Sequence, residues 1–141
     1  MRFWDSSAIL PLLVQEPASA TVSSLLREDP AMVVWWGTRV ECVAALARLE
    51  RDGSLAPGDL ARALADLRDL QVAWSEIEPG EILRENAERL LRVHPLRTAD
   101  ALQLAAAVLA AQHRPATLPF VSLDLRLNAA AGREGFPVIP G

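Results

Sequence analysis

The sequence predicts an α/β protein with a mainly parallel central sheet of four or five strands, covered by helices on both faces. Three observations predict it. Short aromatic and β-branched runs alternate with longer segments of helical period. One run, Ala31–Trp36, is apolar throughout, as strands buried on both faces are. And 51% of the 141 residues are hydrophobic, at or above the usual ~45–50%, which is enough for a sizeable core. The length fits one domain over residues 1–141. No repeat, linker or low-complexity segment divides it.

The elements follow in order. Arg2-Phe3-Trp4 is a strand ending in Asp5. Ser6-Ser7 opens an apolar helix, Ala8–Gln15, with Pro11 expected in its first turn, where a missing N–H is tolerated. Ala18–Glu28 is a second helix and Ala31–Trp36 a buried strand. Its Trp35-Trp36 pair places one indole in the core and leaves the other between core and interface. Thr38–Asp52 is helical and stops at Gly53. Pro57–Leu70 starts with proline in its first turn and repeats Leu60, Ala63, Leu64 and Leu67 at helical spacing. Val72–Ile77 is a third strand. Pro79–Val93 is a helix with Ile82, Leu83, Ala87, Leu90 and Leu91 on one side, broken by His94-Pro95. Thr98–Gln112, capped by Thr98, is the most apolar helix. From Ala101 onward Gln103 is its only polar residue before Gln112, so burial nearly all round is expected. Phe120–Leu123 is a fourth strand, followed by Asp124 and a helical piece to Ala131; Val138-Ile139 adds an edge strand.

The 14 basic and 18 acidic residues give a net charge of −4. That excludes a sequence-independent nucleic-acid coat, which needs a broad basic face. Every basic residue is arginine, so each cation can form a planar fork on phosphate or carboxylate. Cys42, the lone cysteine, cannot form an internal disulfide and sits among apolar residues as a small buried hydrophobe, in keeping with a reducing cytoplasm. The longest rich apolar stretch, Ala101–Gln112, is too short for the ~20 residues a bilayer requires. Arg2, Ala8–Val14 and Ala18-Ser19-Ala20 loosely mimic a signal peptide, but Asp5 and Glu16 interrupt the pattern. A cytoplasmic chain is expected.

Four acids stand where acids are costly. Asp5 ends the first strand, and in parallel sheets sites form outside the carboxyl ends of strands; the plainer role is a helix cap. Asp124 ends the fourth strand in the same way, with a cap or turn as its plainer role. Glu41 lies on a helix where Gly37, Thr38, Ala44 and Ala45 offer no ion-pair partner, and these small neighbours leave room for an ion or substrate. Asp100 opens the most apolar helix, where an acid also complements the helix dipole. Converging on one cleft, such carboxylates would repel by ~4 kcal/mol per pair at ~4 Å and an effective dielectric of ~20. A divalent cation resolves this. Oxygen donors without nearby His or Cys suit Mg²⁺ or Mn²⁺ rather than zinc, and such sites most often serve phosphate chemistry. There is no Gly-rich phosphate loop and no Gly-x-Ser-x-Gly elbow.

Phe3-Trp4-Asp5-Ser6-Ser7-Ala8, Val40-Glu41, Arg97-Thr98-Ala99-Asp100-Ala101-Leu102-Gln103-Leu104-Ala105 and Ser122-Leu123-Asp124 resemble the PIN-domain family, and within it the VapC-type toxins. Order, spacing and length match over essentially the whole chain, and the Arg97–Ala105 segment is the most specific piece. The resemblance implies a three-layer PIN-like fold. It also implies a Mg²⁺- or Mn²⁺-dependent endoribonuclease whose metal site is Asp5, Glu41, Asp100 and Asp124. Ser122 matches a supporting hydroxyl position. A cognate VapB-type antitoxin, an RNA substrate and a homodimer are implied with it. Net −4 then favours a selective, structured RNA. Arg97 is read as pairing with a site carboxylate in preference to an RNA phosphate. Two other readings stay open: a PIN nuclease that processes RNA without an antitoxin, and a non-catalytic protein-binding module whose acids are caps.

Overall fold

The structure is a computed structural model that describes residues 1–141. Five strands are β1 (Arg2–Trp4), β2 (Met32–Trp35), β3 (Ser75–Ile77), β4 (Phe120–Val121) and β5 (Val138–Ile139). They form one sheet in the order β3-β2-β1-β4-β5, and every pairing is parallel. The seven helices are α1 (Ser6–Leu13), α2 (Ser19–Glu28), α3 (Thr38–Arg51), α4 (Pro57–Ala73), α5 (Glu81–Val93), α6 (Thr98–Ala110) and α7 (Leu125–Arg133).

Alternation of side chains along each strand builds two cores. Phe3, Val33, Trp35 and Phe120 point to one face, where α5, α6 and α7 cover them with Leu83, Leu90, Leu104, Ala105 and Leu127. Phe3 stacks on Phe120 at 5.4 Å between ring centres. Trp4, Met32, Val34 and Val121 point to the other face, under Ile9, Val22, Cys42, Leu46 and Leu67 from α1 to α4. The result is three layers, as expected of strands apolar on both sides. Sequence order reverses between β1 and β4: β2 and β3 extend from one side of β1, β4 and β5 from the other. A crevice outside the carboxyl ends of β1 and β4 follows from that reversal.

Several boundaries differ from expectation, each for a local reason. Asp5 caps α1, so the helix begins at Ser6 and Pro11 falls in its second turn, where it is buried. α4 runs on to Ala73, because nothing breaks it before the extended Trp74 cap, and β3 is correspondingly short. Val72, read as strand, is an exposed helical residue. α5 starts after Gly80 and buries Leu83, Ala87 and Leu90, while Ile82 and Leu91 face outward. α6 stops at Ala110 because Gln112 and His113 turn left-handed, with φ of 52° and 60°. Its N-cap is Arg97, and Thr98 is its first helical residue rather than its cap. Trp35 is buried and Trp36 is half exposed.

Candidate active site

Asp5, Glu41, Asp100 and Asp124 all line one cavity of about 120 Å³, with Ser6, Ser7, Leu10, Cys42 and Ala45 completing its wall. A water occupies ~30 Å³, so the space suits an ion with a few waters. Four different stretches of chain supply the acids. β1 delivers Asp5 at its carboxyl end, and the turn after β4 delivers Asp124. α3 presents Glu41 in its first turn, and α6 presents Asp100 in its own. Ala45, one turn on from Glu41, keeps the wall thin on that side.

The cap roles and the shared cavity coexist. Asp5 is the N-cap of α1, its carboxylate accepting the backbone N–H of Ser7 at 3.3 Å. Asp124 caps α7, accepting from the backbone N–H of Leu127 at 3.0 Å. Asp5 carries further bonds that capping does not require. Ser7 Oγ donates to its Oδ2 at 2.6 Å and Ser122 Oγ donates to the same oxygen at 3.2 Å. Ser7 Oγ also accepts the backbone N–H of Leu123 at 2.9 Å, which ties α1 to the turn after β4. Asn128 secures that turn from α7 by donating to the Ser122 carbonyl at 3.0 Å. Glu41 Oε1 accepts from Ser6 Oγ at 2.8 Å and from Gln103 Nε2 at 3.2 Å.

The acids feel one another's charge. Burial holds the Asp5 carboxyl above its ordinary range; bonds from Ser7 and Ser122 offset this in part, and Asp124 adds repulsion. Burial also raises Glu41, against the bonds from Ser6 and Gln103, with repulsion from Asp5 and Asp100. Asp100 is raised by burial and by Asp124, against a backbone bond from Arg97 and the nearby charges of Arg97 and Arg126. Raised carboxyls in one small space gain from a cation. Their oxygen-only chemistry fits a hard divalent ion, although no three of them stand ready in metal-holding geometry.

Arg97 corrects one expectation. It is exposed and makes no ion pair within 4 Å. It is the N-cap of α6, and its side chain extends to solvent. Ser6, Ser7, Thr38 and Asn128 are contributors that the sequence did not single out. Short polar residues at helix starts usually mean caps or solvated positions, so only the bonds of Ser6 to Glu41, Ser7 to Asp5, Thr38 to Gln103 and Asn128 to the Ser122 turn distinguish them. A larger cavity, about 430 Å³, lies elsewhere, by Leu13, Val14, Leu49 and Leu55 beyond the far end of α1.

The family description "PIN domain" matches residues 2–132. Ribonuclease VapC45 of Mycobacterium tuberculosis strain CDC 1551 / Oshkosh is 33% identical over 138 residues, covering 98% of this chain and 94% of that one. Ribonuclease VapC49 of strain ATCC 25618 / H37Rv shows the same identity and coverage. Two solved structures share the fold. A chain of a toxin–antitoxin complex from Klebsiella pneumoniae superposes with a TM-score of 0.67 at 16% identity, covering 99% of this chain and 96% of that one. FitAcB from Neisseria gonorrhoeae superposes with a TM-score of 0.63 at 19% identity, covering 98% and 96%.

Proposed function

Since this chain belongs to the PIN-domain family, we propose that it is a divalent-cation-dependent endoribonuclease, the toxin of a type II toxin–antitoxin pair, hydrolysing RNA phosphodiester bonds. The observation that carries the reading is the convergence of Asp5, Glu41, Asp100 and Asp124 on one small cavity at the carboxyl edge of a parallel sheet. The acids that cap helices thereby acquire a second role that capping alone does not explain.

In this mechanism Asp5 and Asp100 would hold the cation, with Glu41 and Asp124 beside them. When bound, Mg²⁺ or Mn²⁺ supplies neutralising charge at the scissile phosphate and lowers the pKa of water. Glu41 or Asp124 would orient the attacking water for in-line displacement and accept its proton as the P–O3′ bond breaks, the departing 3′ oxygen taking a proton from solvent. Ser7 and Ser122 keep Asp5 in place. Arg97 and Arg126, exposed near Asp100, are free to meet RNA phosphates. The expected products carry a 5′-phosphate and a 3′-hydroxyl.

The antitoxin is proposed to cover α1. Two hollows meet there at Leu13: one of about 430 Å³ with a mixed wall that includes Val14, Leu49, Leu55 and several polar residues, and a mainly apolar one of about 280 Å³ lined by Leu12, Leu26 and Leu70. Glu16, Asp66 and Asp69 border them, beside an Asp59–Arg62 ion pair at 3.5 Å, and this surplus of acids favours an amphipathic segment with basic residues. Such a segment would also send a basic side chain to the acidic cavity. The toxin is proposed to act as a homodimer.

Incubating the chain with total RNA and Mg²⁺, then mapping product ends, tests the reading. It predicts 5′-phosphate ends whose yield falls when the product of the adjacent short reading frame is added. Intact RNA, or ends bearing 2′,3′-cyclic phosphate, overturns it.

A further inference from the structure

We propose that Gln103 is a positioning residue for Glu41, fixing which carboxylate oxygen is held by the protein and which is left open to the cavity. The assignment rests on the nuclease reading above and adds to it a residue outside the four acids. Gln103 follows Asp100 by three residues, so both lie on one side of α6. It is 1% exposed and flanked by the buried Leu104, Ala106 and Ala107. Its Nε2 donates to Thr38 Oγ1 at 2.9 Å and to Glu41 Oε1 at 3.2 Å. Ser6 Oγ donates to the same Oε1 at 2.8 Å. Glu41 is thus gripped by one oxygen, and the chain gives its Oε2 no hydrogen bond.

Two features separate this from an ordinary satisfied core amide. The first is where it reaches. α6 covers one face of the sheet and α3 the other, so the bonds from Gln103 to Thr38 and Glu41 join the two helical layers. One helix then sets two of the four acids, Asp100 directly and Glu41 through Gln103. The second is what it leaves undone. Gln103 Oε1 is buried with no partner, a placement that packing alone disfavours and that Met or Leu would avoid. The return on that placement is the pair of donor bonds at Thr38 and Glu41.

The test uses the full chain with Gln103→Met and Gln103→Leu, and Mn²⁺ alone as the first probe. Calorimetric titration gives the Mn²⁺ affinity, thermal melting gives the fold, and cleavage of total RNA gives the rate and the half-saturating RNA concentration. The expected Met variant stays folded and melts within a few degrees of wild type, since the lost donor bonds and the relieved Oε1 offset each other. It binds Mn²⁺ about tenfold more weakly and cleaves about 10–100-fold more slowly at saturating RNA. Its half-saturating RNA concentration stays within twofold. A folded variant with wild-type Mn²⁺ affinity and rate overturns the assignment and leaves the nuclease reading standing. Failure of both variants to fold makes the amide a stability group and also overturns it. A wild-type chain that binds no Mn²⁺ removes the nuclease reading and the assignment with it.

Discussion

Burial raises the carboxyls of Asp5, Glu41 and Asp100, and repulsion adds to it, from Asp124 on Asp5 and Asp100 and from Asp5 and Asp100 on Glu41. A carboxyl raised in the folded state imposes no charge penalty below its unfolded pKa. The penalty grows as pH climbs from about 4 through the folded value. Without metal, these three groups therefore make the protein less stable at pH 7 than near pH 4. Asp100→Asn removes one charge and keeps the size and shape of the side chain. It should stabilise the chelated protein by about 1 kcal/mol, a rise of a few degrees in Tm, and Mn²⁺ should then stabilise the mutant much less than the wild type. Melting curves of both proteins with chelator and with Mn²⁺ check this; a mutant less stable than wild type, with no metal response in either, defeats it. Cys42 gives a second expectation. Burial, with the charges of Glu41 and Asp5, pushes its thiol up to about 12, so a thiol reagent at pH 8 should label it only after unfolding. Fast labelling of the native chain would contradict the packing of α3. The four acids were legible because each stood in a context that makes an acid costly. Gln103 was legible as an oddity, the one polar residue of α6 after Asp100, but its partners were not, since Thr38 and Glu41 lie 65 and 62 residues away.

Helix and strand identities followed from periodicity, and their ends from caps that periodicity does not see. Asp5 set the start of α1, left-handed residues ended α6, and α4 ran on past the point where a strand was expected. Gly53, with φ of 83°, ended α3 next to the predicted stop, because a left-handed residue there suits glycine. Gly37 matters for a different reason: a Cβ on it would meet Trp35 Nε1 at 2.5 Å. Gly37→Ala should displace that indole and cost about 1–3 kcal/mol, read as a lower Tm and altered tryptophan fluorescence; an unchanged Tm refutes the close approach. Long-range ties between elements were beyond periodicity altogether. Glu134, just after α7, accepts from Arg89 at 2.9 Å and pairs with His94 Nε2 at 2.7 Å, joining α7 to the end of α5. Burial raises the Glu134 carboxyl, but Arg89 and His94 outweigh it and hold it below its usual range. A lowered carboxyl stabilises above its unfolded pKa, and that gain is lost as pH falls through the folded value. Glu134→Gln should lower Tm by about 3 °C at pH 7 and less below pH 4. An equal loss at both pH values would show that the tie is not ionic.

The parallel sheet with its reversal between β1 and β4 is what turns four scattered acids into one cavity. Two of them sit at carboxyl ends of neighbouring strands, and the other two begin helices from opposite layers. The layer plan was readable from strands apolar on both sides, whereas the strand order needed the structure, because two- and three-residue strands carry too little pattern to fix their neighbours. A net charge of −4 gives little general attraction for nucleic acid, so cleavage should be selective among RNAs and steeply salt-dependent only to the extent that Arg97 and Arg126 contribute. RNA cleavage by the full chain beside Asp5→Asn, with Mn²⁺ and after exhaustive chelation, tests whether the cavity is a cation-dependent nuclease site. The wild type should cleave with Mn²⁺ or Mg²⁺, stop on chelation, recover with either ion but not with Zn²⁺, and lose at least about a hundredfold in rate on Asp5→Asn. Undiminished cleavage after chelation, or by the Asp5→Asn chain, would show that the chemistry lies elsewhere.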